Sequence, residues 1–366
     1  MYVYLAFYAC NSGLLQCLLA PSHAETSIAQ QSLRPPQEEA PPDPKTASAA
    51  DVQTMLPIEQ GLTSREPRVL LDSMQRDGII LLTAAAGHEA VGQAANLACS
   101  IKKVSNFWAG RLVTLTIDDD ARHAAEALGM KYLIAAALLG TRNESYIRRR
   151  PLILAAKAHA VNKVVELGYS IWFHDADVVW LRDPWPEMLR ARRRPEVLQF
   201  MCDNNCSKNG QLCELNTGFY LAWQSSFTRK VFRAWVDAVG SKGDDQNRLV
   251  RIVKSRRWDC TGSPKQPCVG RLSIPHFRSG SCISTPSSQA KLFQQGLVFH
   301  PNFMRGSVNK HRALASLGFL ACTCPAVRKF SNLYPGLIRE ECERCHEDAD
   351  GAQQCRATYP RSFRCC

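Results

Sequence analysis

From Pro67 onward, apolar and polar positions fall into blocks that alternate between a two-residue and a 3.6-residue period. Residues 78–83 (GIILLT) form an apolar run of strand type, and AAAGHEAVGQAANLACSIKKV after it has the spacing of a helix. Residues 111–117 (RLVTLTI) predict a second strand. Asp118-Asp119-Asp120 then opens a helix to Leu128, where three carboxylates complement the helix dipole. Residues 131–133 predict a third, short strand. Pro151 begins the helix PLILAAKAHAVNKVVELG, with proline in the first turn and Gly168 at the close, and this helix leads into a strand at 170–174. Farther on, residues 197–201 predict a strand and residues 215–223 a turn followed by a strand. Residues 227–239 have helical spacing. Residues 243–247 read as an acidic helix cap ahead of RLVRIV, and residues 296–302 as a short strand ending in His300. Strands alternating with helices predict an α/β layer architecture with a largely parallel sheet, whose ligands bind beyond the carboxyl ends of the strands. Neither a GxGxxG nor a Walker loop accompanies these strands, which argues against a dinucleotide oxidoreductase or a kinase.

Upstream, the pattern changes. Residues 1–20 are strongly apolar, interrupted chiefly by Asn11 and Gln16, and Ser22-His23-Ala24 offers a small-x-small cleavage site before Glu25. Although no positive residues precede the apolar run, a signal peptide or signal anchor over residues 1–24 is expected. Residues 25–68, including PPQEEAPPDP, are too rich in Pro, Gln, Ser and Glu to bury a core and read as a flexible stalk. A globular domain over 69–321 and a cysteine-rich tail over 322–366 follow. The chain has 16 cysteines in 366 residues. Cys10 and Cys17 would leave with a cleaved signal, and the remainder is even in number. Along a secretory route these predict disulfides, with an anchored or secreted protein in the Golgi or another secretory lumen. A zinc site at Cys322, Cys324, Cys342 and Cys345 is the competing reading of the tail. Cys342-Glu343-Arg344-Cys345-His346 matches a haem-attachment pattern that nothing else supports. Asn143-Glu144-Ser145 and Asn205-Cys206-Ser207 are glycosylation acceptor patterns. The formal charge of +12 points to an acidic partner. The clusters Arg148-Arg149-Arg150 and Arg192-Arg193-Arg194 lack any nucleic-acid recognition motif, so an acidic glycan acceptor is expected and no nucleic acid.

The chemistry concentrates in residues 170–186, SIWFHDADVVWLRDPWP. Asp175 and Asp177 stand between two apolar runs, where ionised carboxylates cost several kcal/mol to bury unless a positive group neutralises them. A bare Asp-x-Asp is often a solvated turn, but the apolar frame here favours a cation site. Carboxylate oxygens suit Mn²⁺ or Mg²⁺, which keep positions open for phosphates.

FHDADVVWLRDPWP, then NTGFYLA, then DDQN, then a strand ending in His-x-Asn together resemble the plant and algal nucleotide-diphospho-sugar transferase family. That family includes the rhamnogalacturonan-II xylosyltransferases and related arabinosyl and galactosyl transferases. The resemblance runs from about Asp77 to Asn302, and departs from the family pattern at His174 and Val250. It implies a Rossmann-like, single-domain GT-A glycosyltransferase fold, transferring a pentose or galactose from a UDP-sugar to a glycan or glycoprotein with retention. It further implies that Asp175, Asp177 and His300 hold the metal, with Asp175 also facing the ribose. Lys157 would reach phosphate, Asn216, Thr217 and Gly218 would lie beside the sugar, and Asp245 and Gln246 would act at the transferred sugar as the catalytic pair. Two other readings stay open: a non-catalytic glycan-binding scaffold of the same fold, and a metal-dependent phosphodiesterase or nucleotidyltransferase.

Overall fold

The computed structural model describes residues 65–135, 146–203, 214–239, 245–255, 268–282, 286–302, 304, 306–321, 323–337 and 339. The expected signal, most of the stalk, both glycosylation patterns and Cys342–His346 lie outside them. The described residues all belong to the compact unit Ser48–Cys366. After helix α1 (Arg65–Met74), the order is β1 (Ile79–Ala85), α2 (Gly87–Val104), β2 (Leu112–Thr116), α3 (Asp119–Leu128), β3 (Tyr132–Ile134), α4 (Tyr146–Glu166) and β4 (Ser170–Asp175). Then come β5 (Val179–Trp180), α5 (Trp185–Arg192), β6 (Leu198–Cys202), β7 (Leu215–Ala222), α6 (Ser226–Val239) and α7 (Asp245–Ser255). The chain continues through β8 (Val269–Arg271), β9 (Phe277–Ser279), α8 (Pro286–Gln295), β10 (Val298–His300), α9 (Ser307–Ser316) and α10 (Pro325–Leu333).

The main sheet has the order β3-β2-β1-β4-β7-β6-β8. Pairing is parallel through β3-β2-β1-β4 and again between β6 and β8, and only β7 runs antiparallel to its neighbours. Strands in such a sheet are buried on both faces, which is why IILLT and IWF are continuous apolar runs. On one face Ile171, Phe173 and Tyr220 pack against Val161 and Val164 of α4, Phe232 and Trp235 of α6, and Leu249 of α7. On the other, Leu81, Trp172 and Phe219 pack against Leu97 and Ile101 of α2 and Met188 of α5. A three-stranded sheet, β5-β10-β9, adjoins the carboxyl end of β4, and β10 pairs antiparallel with β5.

Three local features differ from the sequence pattern. Helix α4 begins at Tyr146, so Pro151 lies inside it rather than at its start. Proline removes one helical donor wherever it sits, and the signal of a start is also the signal of an interruption. The run 178–181 leaves the main sheet to form β5. Asn216-Thr217-Gly218, expected as a turn before the strand, lies within β7, where the register jumps from Phe200↔Tyr220 to Met201↔Asn216. This bulge is closed locally, since Gly218 N donates to Asn216 Oδ1 at 2.6 Å.

The acidic start of α3 has a structural explanation. Asp118 caps it by accepting from Ala121 N at 2.8 Å, and also accepts from Gly87 N at 2.9 Å. Helix α10, in the cysteine-rich segment, packs on α2: the Phe330 ring covers Gly92, and Cys324 is disulfide-bonded to Cys99 with Cα atoms 6.1 Å apart. That bond removes Cys324 from the zinc set read from the sequence. Cys202 and Cys268 each take part in a disulfide as well. Among the described residues no helix is long and apolar enough to cross a membrane.

Candidate active site

Strand β4, at the centre of the sheet, carries Asp175 at its carboxyl end. A turn closed by Val178 N on Asp175 O (3.1 Å) then sets Asp177 beside it. Strand β10 brings His300 to the same place. His300 Nε2 lies 3.4 Å from Asp177 Oδ1 and 3.7 Å from Asp175 Oδ2. One ligand atom from each of the three residues falls within 4.8 Å of the others. Asp177 and His300 are buried, whereas the Asp175 side chain is 38% exposed, so the cluster opens outward past Asp175.

The charges explain how such a cluster survives burial. Burial alone would raise the Asp177 pKa, but Lys310 of α9 and His300 outweigh it and hold the carboxyl below its ordinary range. Lys310 Nζ stands 2.8 Å from Asp177 Oδ2. His300 is pulled down by burial and pushed up further by Asp177 and Asp175, so its imidazole binds a proton more readily than usual. Groups with a shared appetite for positive charge suit a divalent cation. Two carboxylates and one imidazole are a fitting donor set for Mn²⁺ or Mg²⁺. The local backbone fits too, because Gly218 is pressed against both Asp175 and His300 and leaves no room for a side chain.

Lys157 reaches the same cluster from α4. Its Nζ is buried between Asp175 Oδ1 (3.1 Å) and Asp245 Oδ2 (3.0 Å), above the Phe173 ring at 4.7 Å. Burial lowers its pKa, but the two carboxylates more than reverse this and keep it charged. Asp245 therefore enters the site as an ion partner, and its carboxylate also accepts from Gln246 N at 2.9 Å. Gln246 is engaged at both ends: Oε1 accepts from Thr217 N at 3.3 Å and Nε2 donates to Asp203 Oδ2 at 2.9 Å. Asn216 Nδ2 donates to Asp203 Oδ1 at 2.7 Å. His174 is fully buried, its Nε2 accepting from Trp180 Nε1 at 3.0 Å. Burial holds it at about 3, so it is a neutral core residue.

The residues singled out for the site thus gather at the carboxyl ends of β4 and β10, the amino end of the antiparallel β7 and the start of α7, with Lys157 reaching in from α4. Two more belong there. Asp203 follows β6 directly, and the rule that ligands sit beyond strand ends could have found it. Lys310 carries no such signal, being one lysine on a basic helix.

The model of the nucleotide-diphospho-sugar transferase family matches residues 109–310. The chain belongs to this family. The matched span holds every site residue from Lys157 to Lys310. An uncharacterized protein of Arabidopsis thaliana is 33% identical over 125 residues, 34% of this chain and 34% of that protein, so the match spans about a third of the relative's length. Mouse xyloside xylosyltransferase 1 is similar in structure, with a TM-score of 0.39 and 12% identity over 62% of this chain and 98% of that one. The apo form of the glycosyltransferase GlyE of Streptococcus pneumoniae gives a TM-score of 0.42 and 12% identity over 70% of this chain and 63% of that one.

Proposed function

We propose that this nucleotide-diphospho-sugar transferase moves a pentose or galactose from a UDP-sugar to a hydroxyl of a glycan or glycoprotein, with retention and with Mn²⁺ or Mg²⁺ held by Asp175, Asp177 and His300. The observation that carries the reading is the convergence of these three side chains where two sheets meet, inside the span that defines the family. In the reaction, the bond between the anomeric carbon and the β-phosphate oxygen breaks, and UDP leaves with the electron pair. The acceptor oxygen bonds to the anomeric carbon and gives up its proton, which the released diphosphate can take. A divalent cation held by Asp175, Asp177 and His300 would supply Lewis-acid stabilisation of the charge growing on that diphosphate. Lys310 adds positive charge at the same place. Lys157 and Asp245 fix the carboxylate of Asp175 from within the fold, and Gln246 with Asn216 and Thr217 forms the neighbouring wall on the sugar side.

The net charge of +12 supports an acidic acceptor. The Cys99–Cys324 bond supports an oxidising lumen of the Golgi or secretory route, with residues 1–24 as signal or anchor, 25–68 as stalk and 69–321 as the catalytic domain. The test is to incubate the purified chain with Mn²⁺, a panel of UDP-sugars and glycan acceptors, and to measure free UDP and the glycosylated product. UDP release that requires metal and disappears in Asp177→Ala is expected. Pyrophosphate release, or glycan binding without UDP release from any donor, would overturn the reading.

A further inference from the structure

Asp203 is buried, and its carboxylate is held by amides: Asn216 Nδ2 at 2.7 Å and Asn302 Nδ2 on Oδ1, and Gln246 Nε2 at 2.9 Å on Oδ2. Its backbone carbonyl accepts from Ser279 Oγ at 2.9 Å and from Ser281 Oγ. One residue thus ties together β7, α7, the end of β9 and the loop leaving β10. Each tie ends on something the site uses. Asn216 in turn accepts from Gly218 N, beside the metal ligands, and Gln246 accepts from Thr217 N. Asn302 lies just past His300 and accepts from Gly280 N at 2.7 Å. An acceptor-only group at this point forces every amide facing it to turn its NH₂ inward, which fixes each carbonyl oxygen outward onto a backbone N–H. A neutral side chain of the same shape would not impose that order.

We infer that Asp203 is a positioning residue of the transferase: its acceptor-only carboxylate sets the orientation of Gln246, Asn216 and Asn302, and through them the wall beside the transferred sugar. The kinetic part rests on the sugar-transfer reading above; the geometric part does not. In Asp203→Asn, an NH₂ meets the Gln246 NH₂, and one of the two must turn. Adding Gln246→Glu restores the lost bond in reversed polarity. The new amide at position 203 can then donate to one oxygen of the new carboxylate at position 246, whose other oxygen accepts from Thr217 N.

The experiment is a four-way cycle of the wild-type chain, D203N, Q246E and the double variant. D203N is expected to lower kcat about tenfold or more, as misplacement beside a reacting centre does, while Mn²⁺ affinity and KM for the donor change by less than about threefold. Q246E alone sets two carboxylates together and is also impaired. The double variant should exceed both single variants in kcat. Hydrogen exchange of the Thr217 and Gly218 amides reads the same geometry without a donor: faster in each single variant and slowed again in the double. A D203N chain with wild-type kcat and wild-type exchange, or a double variant worse than both singles in both measurements, would overturn the inference. If no donor is turned over even by the wild type, exchange alone decides it.

Discussion

Gly218 and Asp175 touch so closely that a methyl group at residue 218 would stand 2.3 Å from Asp175 Oδ2, and 2.4 Å from His300 Cε1 on its other side. Both distances are far inside van der Waals contact. Neither neighbour can retreat freely, because His300 is buried and Asp175 is held by Lys157. Gly218→Ala should therefore spread the two ligands and weaken Mn²⁺ binding about 10- to 100-fold, the usual consequence of disturbing what orients metal ligands. Titration of the metal by calorimetry checks this, and an unchanged affinity would show that the cluster does not hold the cation.

The buried ammonium of Lys157 gives a second prediction. It neutralises Asp175 and Asp245 together, so Lys157→Met leaves the buried Asp245 carboxylate without its cation. Loss of one partner of a buried pair costs about 3 kcal/mol or more. A clear drop in the unfolding midpoint is expected, together with slower UDP release as Asp175 loses its orientation. Asp245→Asn in the same chain should recover part of the stability and little of the activity. If Lys157→Met unfolds like the wild type, the ion network does not bear on stability.

The architecture was legible because it depends on burial. The runs IILLT, LVTLT and IWF have the apolar character of buried strands, and each lies within one or two residues of its expected place. Asp175 and Asp177 were equally legible, since paired carboxylates inside an apolar frame need a reason. The partnerships were not. Nothing local distinguishes Lys157, committed to two carboxylates, from an exposed helical lysine. Lys310 meets Asp177 only because α9 folds back over β10. Asn216-Thr217-Gly218 has turn composition, and only pairing with β6 reveals a bulge inside a strand. Asp203 acts through residues 13, 43 and 99 positions away, beyond the range of any local pattern.

Cys99 and Cys324 join segments 225 residues apart, fastening α10 over α2. Removing a crosslink that closes so long a loop is expected to cost about 2–5 kcal/mol. Cys324→Ser should lower the unfolding midpoint of the unreduced protein relative to the wild type. Mapping by mass spectrometry should recover the Cys99–Cys324 peptide from the unreduced protein. Free thiols at both positions in protein made under oxidising conditions would contradict the expectation.

Acid stability offers the last prediction. His311 on α9 is fully buried, and burial lowers its pKa to about 4, against smaller opposing pulls from the Ser307 backbone, Glu89 and Asp177, while Lys310 adds to the lowering. In the unfolded chain the same imidazole titrates near its ordinary value of about 6.5. Between these values the unfolded state binds more protons than the folded one. The contribution of this group is therefore complete above about pH 6.5 and is lost as pH falls toward 4, with a slope of at most about 1.4 kcal/mol per pH unit for one proton. Denaturant titrations of the wild type at pH 7, 6, 5 and 4 should show this decline, and His311→Leu, which removes the titrating group and keeps an apolar side chain, should flatten it. Parallel profiles for the two proteins would mean that the imidazole is already solvated in the fold.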